Sequence, residues 1–235
     1  MDFVIMAAGR GSRLMPLTKD KPKCLVEVNG KPIIKHIYDN ICKNISKPNL
    51  YIICGYKKKV LIDYCYKNKI DAEFIYQNRL DGTANAIFMT NPYIKEDFVV
   101  LSGDIIYSAE EIKKLMDNKN SLLYTEMNDR LYEYGTMEIR ELVGYDGYYV
   151  TRINEKSTEP ISNFVNCGAY HFDLDIYEYI AETEYDQRFA EKIITNTIGL
   201  MVKDGILFKA IQIDSLNEVS YQKDIIKVEN RLDGI

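Results

Sequence analysis

The 235-residue chain has no tryptophan, two histidines and no Cys-x-x-Cys pair. His36 and His171 are too few, and the five cysteines (Cys24, Cys42, Cys54, Cys65, Cys167) too scattered, to frame a zinc site. The expectation is reduced thiols packed as small apolar groups. No basic run or arginine-rich patch is present, and the net charge is −5, which argues against a nucleic-acid partner. No apolar run approaches a membrane span, and the N-terminus lacks a charged-then-apolar leader, so no membrane partner and a cytoplasmic location are expected. There is also no internal repeat, low-complexity tract or Pro/Gly/Ser-rich linker, so residues 1–235 read as a single domain. With 46% hydrophobic residues the chain is long enough for one substantial core, and self-association into a homo-oligomer stays open.

What is present concentrates at the N-terminus. An apolar strand, Phe3 to Met6, runs into Ala7-Ala8-Gly9-Arg10-Gly11-Ser12-Arg13, followed by Pro16, Thr18 and Pro22-Lys23-Cys24-Leu25. Gly9 and Gly11 let the backbone turn sharply and bring its N–H groups close to a ligand. Arg13 and Lys23 add two fixed positive charges, and such a strand–loop holds polyphosphate well. It is not a Walker loop, which ends Gly-Lys-Ser/Thr. It is not the dinucleotide fingerprint either, because Leu14 stands where a third small residue belongs.

Further on, strands are expected at Val26–Val28, Leu50–Cys54, Glu73–Tyr76 and Phe98–Leu101. Helices are expected from Pro32, over Lys58–Lys67, from Thr83 to about Met89, and from a Ser108 cap to Met116. This alternation argues for a mostly parallel sheet flanked by helices. The middle is richer in strands, at Leu122–Met127, Met137–Leu142, Tyr148–Ile153 and Ala169–Phe172, and suggests an antiparallel or inserted lobe. Helices at Ile176–Ile180, Glu191–Lys203 and Tyr221–Arg231, with a strand at Leu207–Ile213, complete the chain. In open α/β sheets ligands sit outside the carboxyl ends of strands. Asp104 stands at one such end, after Ser102-Gly103; there it either ligates Mg²⁺ or forms a turn.

The spaced set G-x-G-S-R-x-x-P-x-T then P-K-x-L resembles the signature of the sugar-1-phosphate nucleotidyltransferases, the nucleoside-diphosphate-sugar pyrophosphorylases. The likeness continues through Gln77-Asn78-Arg79-Leu80-Asp81-Gly82-Thr83-Ala84-Asn85-Ala86, which looks like the base-recognition segment of the thymidylyl- and uridylyltransferases. An amide such as that of Gln77 offers both a donor and an acceptor to a pyrimidine edge. The order Tyr134-Gly135, Glu155-Lys156, Ser162-Asn163 and Asn166-x-Gly168-x-Tyr170 resembles the sugar-phosphate half of the same family. Near the C-terminus, Glu218 stands where many sugar members carry an Asp after a Trp-x pair; a Glu at this place resembles the choline-phosphate cytidylyltransferases of the superfamily.

The resemblance implies a Rossmann-like mixed α/β fold with a small β-rich acceptor-binding lobe. It implies that Ala8, Gly9, Gly11, Ser12, Arg13, Lys23, Gln77, Gly82 and Thr83 bind UTP, dTTP or CTP. It implies that Gly135, Glu155, Lys156 and Asn166 bind a sugar 1-phosphate, and that Asp104 and Glu218 hold Mg²⁺. Arg13, Lys23 and Asp104 would carry the catalysis. The alternative acceptor is choline phosphate or another small phosphate monoester. A non-catalytic, nucleotide-sugar-sensing subunit would be expected to lose Arg13, Lys23 or a carboxylate, and all are retained. The chain stops soon after its last expected helix, which leaves no room for the β-helix of bifunctional acetyltransferase relatives, so one activity is expected.

Overall fold

A computed structural model describes residues 1–234. In chain order the strands and helices are β1 (Asp2–Ala7), β2 (Glu27–Val28), β3 (Lys31–Pro32), α1 (Ile33–Cys42), β4 (Asn49–Cys54), α2 (Lys58–Lys67), β5 (Glu73–Tyr76), α3 (Thr83–Phe88), β6 (Phe98–Ser102), α4 (Ala109–Met116) and β7 (Ser121–Glu126). They continue as β8 (Gly135–Glu141), β9 (Tyr148–Glu155), β10 (Phe164–Phe172), α5 (Ile176–Glu182), α6 (Ile194–Lys203), β11 (Lys209–Gln212) and α7 (Gln222–Leu232). The chain is thus mixed α/β, as expected. It gathers into two compact units. The first comprises Met1–Leu80, Leu101–Lys113 and the chain from Asn217; the second comprises Asp81–Val100 and Lys114–Leu216.

The first unit contains the parallel arrangement that the alternation predicts. β4 lies between β1 and β5 and pairs in parallel with both, in continuous register from Asp2↔Asn49 to Ala7↔Cys54 on one side and from Tyr51↔Glu73 to Cys54↔Tyr76 on the other. Phe3, Val4 and Ile5 of β1 are fully buried, as are Ile52 and Ile53 of β4, which suits strands covered on both faces. The apolar stripe of α1, Ile33, Ile34, Ile37 and Ile41, is fully buried at the helical spacing read from the sequence. Asn40 of α1 and Asn44 in the turn after it tie down the chain after β6: Asn40 Nδ2 donates to Tyr107 O at 2.7 Å and Asn44 Nδ2 to Ala109 O at 2.8 Å.

The second unit is dominated by antiparallel pairs: β8 with β9, β10 with β7, and β11 with β9, while β11 runs parallel to β7. β10 begins at Phe164, five residues ahead of the expected start, because its register shifts between Asn166 and Tyr170. The left-handed Gly168 (φ 63°) makes that bulge, which interrupts the simple alternation a sequence reading depends on. The expected helix from Glu191 begins three residues later, at Ile194. Glu191 instead forms an antiparallel bridge with Asp186, and the Lys192 N–H donates to Asp81 O at 2.9 Å. Tertiary pairing of these backbone groups overrides a helical pattern that the side chains alone would support.

Candidate active site

In the first unit, the loop after β1 is held open by contacts of its own. Gly11 has φ 65°, and a Cβ there would lie 2.9 Å from Lys23 Cβ, so glycine is required for both conformation and space. The Thr18 hydroxyl donates to Gly11 O at 2.8 Å, and a single 3₁₀ turn, Ser12–Leu14, follows. A Cβ on Gly9 would meet nothing within 4 Å, so that face of the loop is open. Ala8 is buried, and its carbonyl accepts from Tyr56 N–H at 3.2 Å. Arg13 is exposed, with its guanidinium carbon 5.5 Å from the Tyr221 ring centroid; Arg10 lies 5.4 Å from that of Tyr56.

The two expected carboxylates come together beneath this loop. The Gly103 N–H donates to Met6 O at 3.0 Å, which sets Asp104 beside the end of β1; a Cβ on Gly103 would lie 2.7 Å from that carbonyl. The Val219 N–H donates to Asp104 O at 3.0 Å, and Ile105 bridges to Glu218. The Lys23 ammonium contacts Asp104 Oδ2 at 2.5 Å and donates to Ser220 Oγ at 3.2 Å; the Ser220 hydroxyl donates in turn to Glu218 Oε1 at 2.5 Å. Lys23, Asp104, Ser220 and Glu218 thus form one connected polar group. Among the described residues no three His, Cys, Asp or Glu side chains cluster as a metal cage. A pair of carboxylates suits Mg²⁺, which takes one or two of them and completes its shell from phosphate and water. Asp104 already holds a cation in the form of Lys23. Gln77 belongs to this unit too; it is buried rather than solvated, and its N–H continues the ladder to Cys54 O at 2.9 Å.

The remaining expected residues lie in the second unit. Gly82 has φ 117°, and a Cβ there would sit 2.0 Å from Lys192 O, so its need for glycine is set by the chain at Lys192. The Thr83 hydroxyl accepts from the Ile194 N–H at 3.0 Å and satisfies one of the orphan donors at the start of α6. Glu155 is buried, with Oε2 accepting from the Thr195 hydroxyl at 2.8 Å. Gly135 pairs with Glu155 across β8 and β9, and a Cβ on it would lie 2.9 Å from Glu155 Oε2. Lys156 is left-handed (φ 40°), and its ammonium is 3.7 Å from Glu155 Oε1. Asn166 donates from Nδ2 to the Tyr170 hydroxyl at 2.6 Å and accepts the Gly168 N–H at its Oδ1.

Sequence reasoning did not single out Ser220, Thr195 or the Asp186–Arg188 pair. A lone Ser, a helical Thr and a charged loop carry no pattern of their own; their partners are distant in sequence. The cysteines do behave as the composition suggests. All five are free thiols, and burial pushes Cys65 up to about 12 and raises Cys24 as well, so both stay protonated packing groups.

Residues 3–219 match the nucleotidyl transferase family. A UTP–glucose-1-phosphate uridylyltransferase, AglF of Haloferax volcanii, is 32% identical over 241 residues, which cover 99% of this chain and 96% of that protein. The bifunctional protein GlmU of Methanocaldococcus jannaschii is 31% identical over 99% of this chain but 54% of its own length, so the chain spans about half of that relative. A UDP-glucose pyrophosphorylase solved with UDP-glucose superposes with a TM-score of 0.85 at 22% identity, covering 99% of this chain and 98% of the other, which establishes the likeness in fold. With the match running through both units and a relative of nearly equal length, the protein belongs to the nucleotidyl transferase family.

Proposed function

We propose that the protein joins a pyrimidine nucleoside triphosphate to a sugar 1-phosphate, giving a nucleoside-diphosphate sugar and pyrophosphate. The observation that carries this reading is the Lys23–Asp104–Ser220–Glu218 group at the strand ends, beside a loop built around Gly9 and Gly11. The acceptor phosphate is already ionised near pH 7 and needs no general base. Its oxygen attacks the α-phosphorus in line, a new P–O bond forms, and the anhydride to the β-phosphate breaks. Catalysis is then positioning and charge neutralisation. Arg13 and the loop N–H groups stabilise the departing pyrophosphate, and Lys23 neutralises the α-phosphate. Asp104 and Glu218 would hold Mg²⁺, which when bound offsets the phosphate charge. Glu155, Asn166 and the backbone at Gly135 bind the sugar hydroxyls, and Lys156 pairs with the sugar phosphate. One anhydride replaces another, so the reaction is readily reversible. The five free thiols suit a cytoplasmic enzyme.

UTP and glucose 1-phosphate are the first substrates to test, since the Haloferax relative is named for them. Choline phosphate gains no support from these relatives. The test incubates the protein with UTP, dTTP or CTP, a panel of sugar 1-phosphates and choline phosphate, with Mg²⁺, and follows pyrophosphate release. Release that depends on a sugar 1-phosphate is expected. Release with choline phosphate alone would overturn the acceptor assignment.

A further inference from the structure

Arg13 leaves the loop after β1 on a long, exposed stem, and the first turn of α7 reaches back to that loop at two points. The Arg13 guanidinium carbon lies 5.5 Å from the centroid of the Tyr221 ring. Two residues beyond Arg13, Met15 O accepts the side-chain amide of Gln222, from Nε2, at 2.9 Å. The Lys223 ammonium lies 5.7 Å from the Tyr221 centroid, so one ring gathers cations from two segments.

Both ends of the Arg13–Tyr221 contact are anchored. On the loop side, the 3₁₀ turn Ser12–Leu14 is closed by Leu14 N–H to Gly11 O at 3.0 Å, and Leu14 is fully buried. On the helix side, the Tyr221 N–H donates at 2.7 Å to Oδ2 of the buried Asp224. The same oxygen accepts the Ser220 N–H at 3.0 Å, and the Ser220 hydroxyl donates to Glu218. One short stretch, 218–222, therefore serves a carboxylate of the site and a cation of the loop together.

An arginine stem in water samples many rotamers, and this freedom is lost when the guanidinium meets a phosphate. An aromatic ring restrains a guanidinium through its flat face, within about 6 Å of the centroid, and uses none of its in-plane N–H groups. Those donors then remain for phosphate oxygens. We propose that Tyr221 is a positioning residue for Arg13, holding the guanidinium by its face for the pyrophosphate that departs. The Gln222 amide holds the loop beside the ring. This inference rests on the nucleotidyl-transfer reading.

The test is a double-mutant cycle read by pyrophosphate release, with folding checked by urea denaturation. Tyr221→Leu and Tyr221→Thr remove the ring, the second leaving a favoured helix N-cap, and Tyr221→Phe keeps it. The ringless variants are expected to lower kcat about three-fold or more while the KM for sugar 1-phosphate stays within about two-fold. Tyr221→Phe is expected to stay within about two-fold of the wild type in both values. In an Arg13→Ala background the ring has no guanidinium to hold, so the ringless variants should add no more than about two-fold. Where Arg13→Ala turns over too slowly to compare, calorimetry with imidodiphosphate and Mg²⁺ replaces it, and the Kd is expected to rise in the ringless variants and not in Tyr221→Phe. An unchanged kcat without the ring, an equal loss in Tyr221→Phe, an equal further loss without Arg13, or an imidodiphosphate Kd indifferent to the ring would overturn the role of Tyr221 alone. A wild-type protein that releases no pyrophosphate with any triphosphate and sugar 1-phosphate would overturn the parent reading and this inference with it.

Discussion

At the scale of single residues, the site depends on a few groups whose replacement has one dominant consequence. Asp104 contacts Lys23, its carbonyl accepts the Val219 N–H, and the next residue, Ile105, bridges to Glu218. Asp104→Asn keeps the shape but makes a poor Mg²⁺ ligand. We expect a folded protein with kcat lowered about a hundred-fold or more, since loss of a metal contact removes several kcal/mol of transition-state stabilisation. A near-normal kcat would remove Asp104 from the metal site. Gly82 is a residue of a different kind. Its φ of 117° is almost exclusive to glycine, and a methyl group would meet Lys192 O at 2.0 Å. Gly82→Ala should therefore lower stability by about 3 kcal/mol or abolish folding, as read by urea denaturation. A loss of under about 0.5 kcal/mol, the range of an unremarkable surface change, would show that the chain at Lys192 yields easily.

At the scale of elements, the first turn of α7 fixes the segment that carries Glu218 and Ser220. Asp224 is buried, and its Oδ2 accepts the N–H groups of Ser220 at 3.0 Å and of Tyr221 at 2.7 Å. Asp224→Ala would orphan both donors, each worth about 1–3 kcal/mol when buried and unpaired. We expect lower stability in urea together with a lower kcat, as Ser220 and Glu218 lose their support. Loss of stability with unchanged kcat would mean that Ser220 holds its place without this cap. The start of α4 shows how far local chemistry alone can be read. The Ser108 hydroxyl accepts the Glu111 N–H at 3.1 Å, and Glu111 Oε2 accepts the Ser108 N–H at 2.7 Å. That reciprocal pair is written in three consecutive steps of sequence, so the helix start was legible.

At the scale of the whole molecule, nucleotide binding should appear as stability. A ligand that binds only the folded state at a hundred times its Kd adds about 2.7 kcal/mol. UTP with Mg²⁺ is expected to raise the Tm, and excess EDTA to cancel most of that rise if Asp104 and Glu218 act through the ion. A shift that EDTA leaves intact would show that the cations of the loop suffice. The division into two units, by contrast, left no trace in composition. The chain crosses between them four times, inside β6, inside α4 and in the connections at Leu80–Asp81 and Leu216–Asn217, and none of these is a Pro/Gly/Ser-rich linker. The sequence by itself determined most of the elements and the glycine-rich loop after β1, because periodicity, glycine freedom and capping act over a few residues. It also determined which carboxylates and cations were available. Only the tertiary structure decided that Lys23 meets Ser220 across 197 positions and Thr83 meets Ile194 across 111. It likewise decided that Lys192, not a ligand alone, makes Gly82 obligatory. Such contacts depend on the path of the chain through space, and no local pattern encodes the partner at the far end.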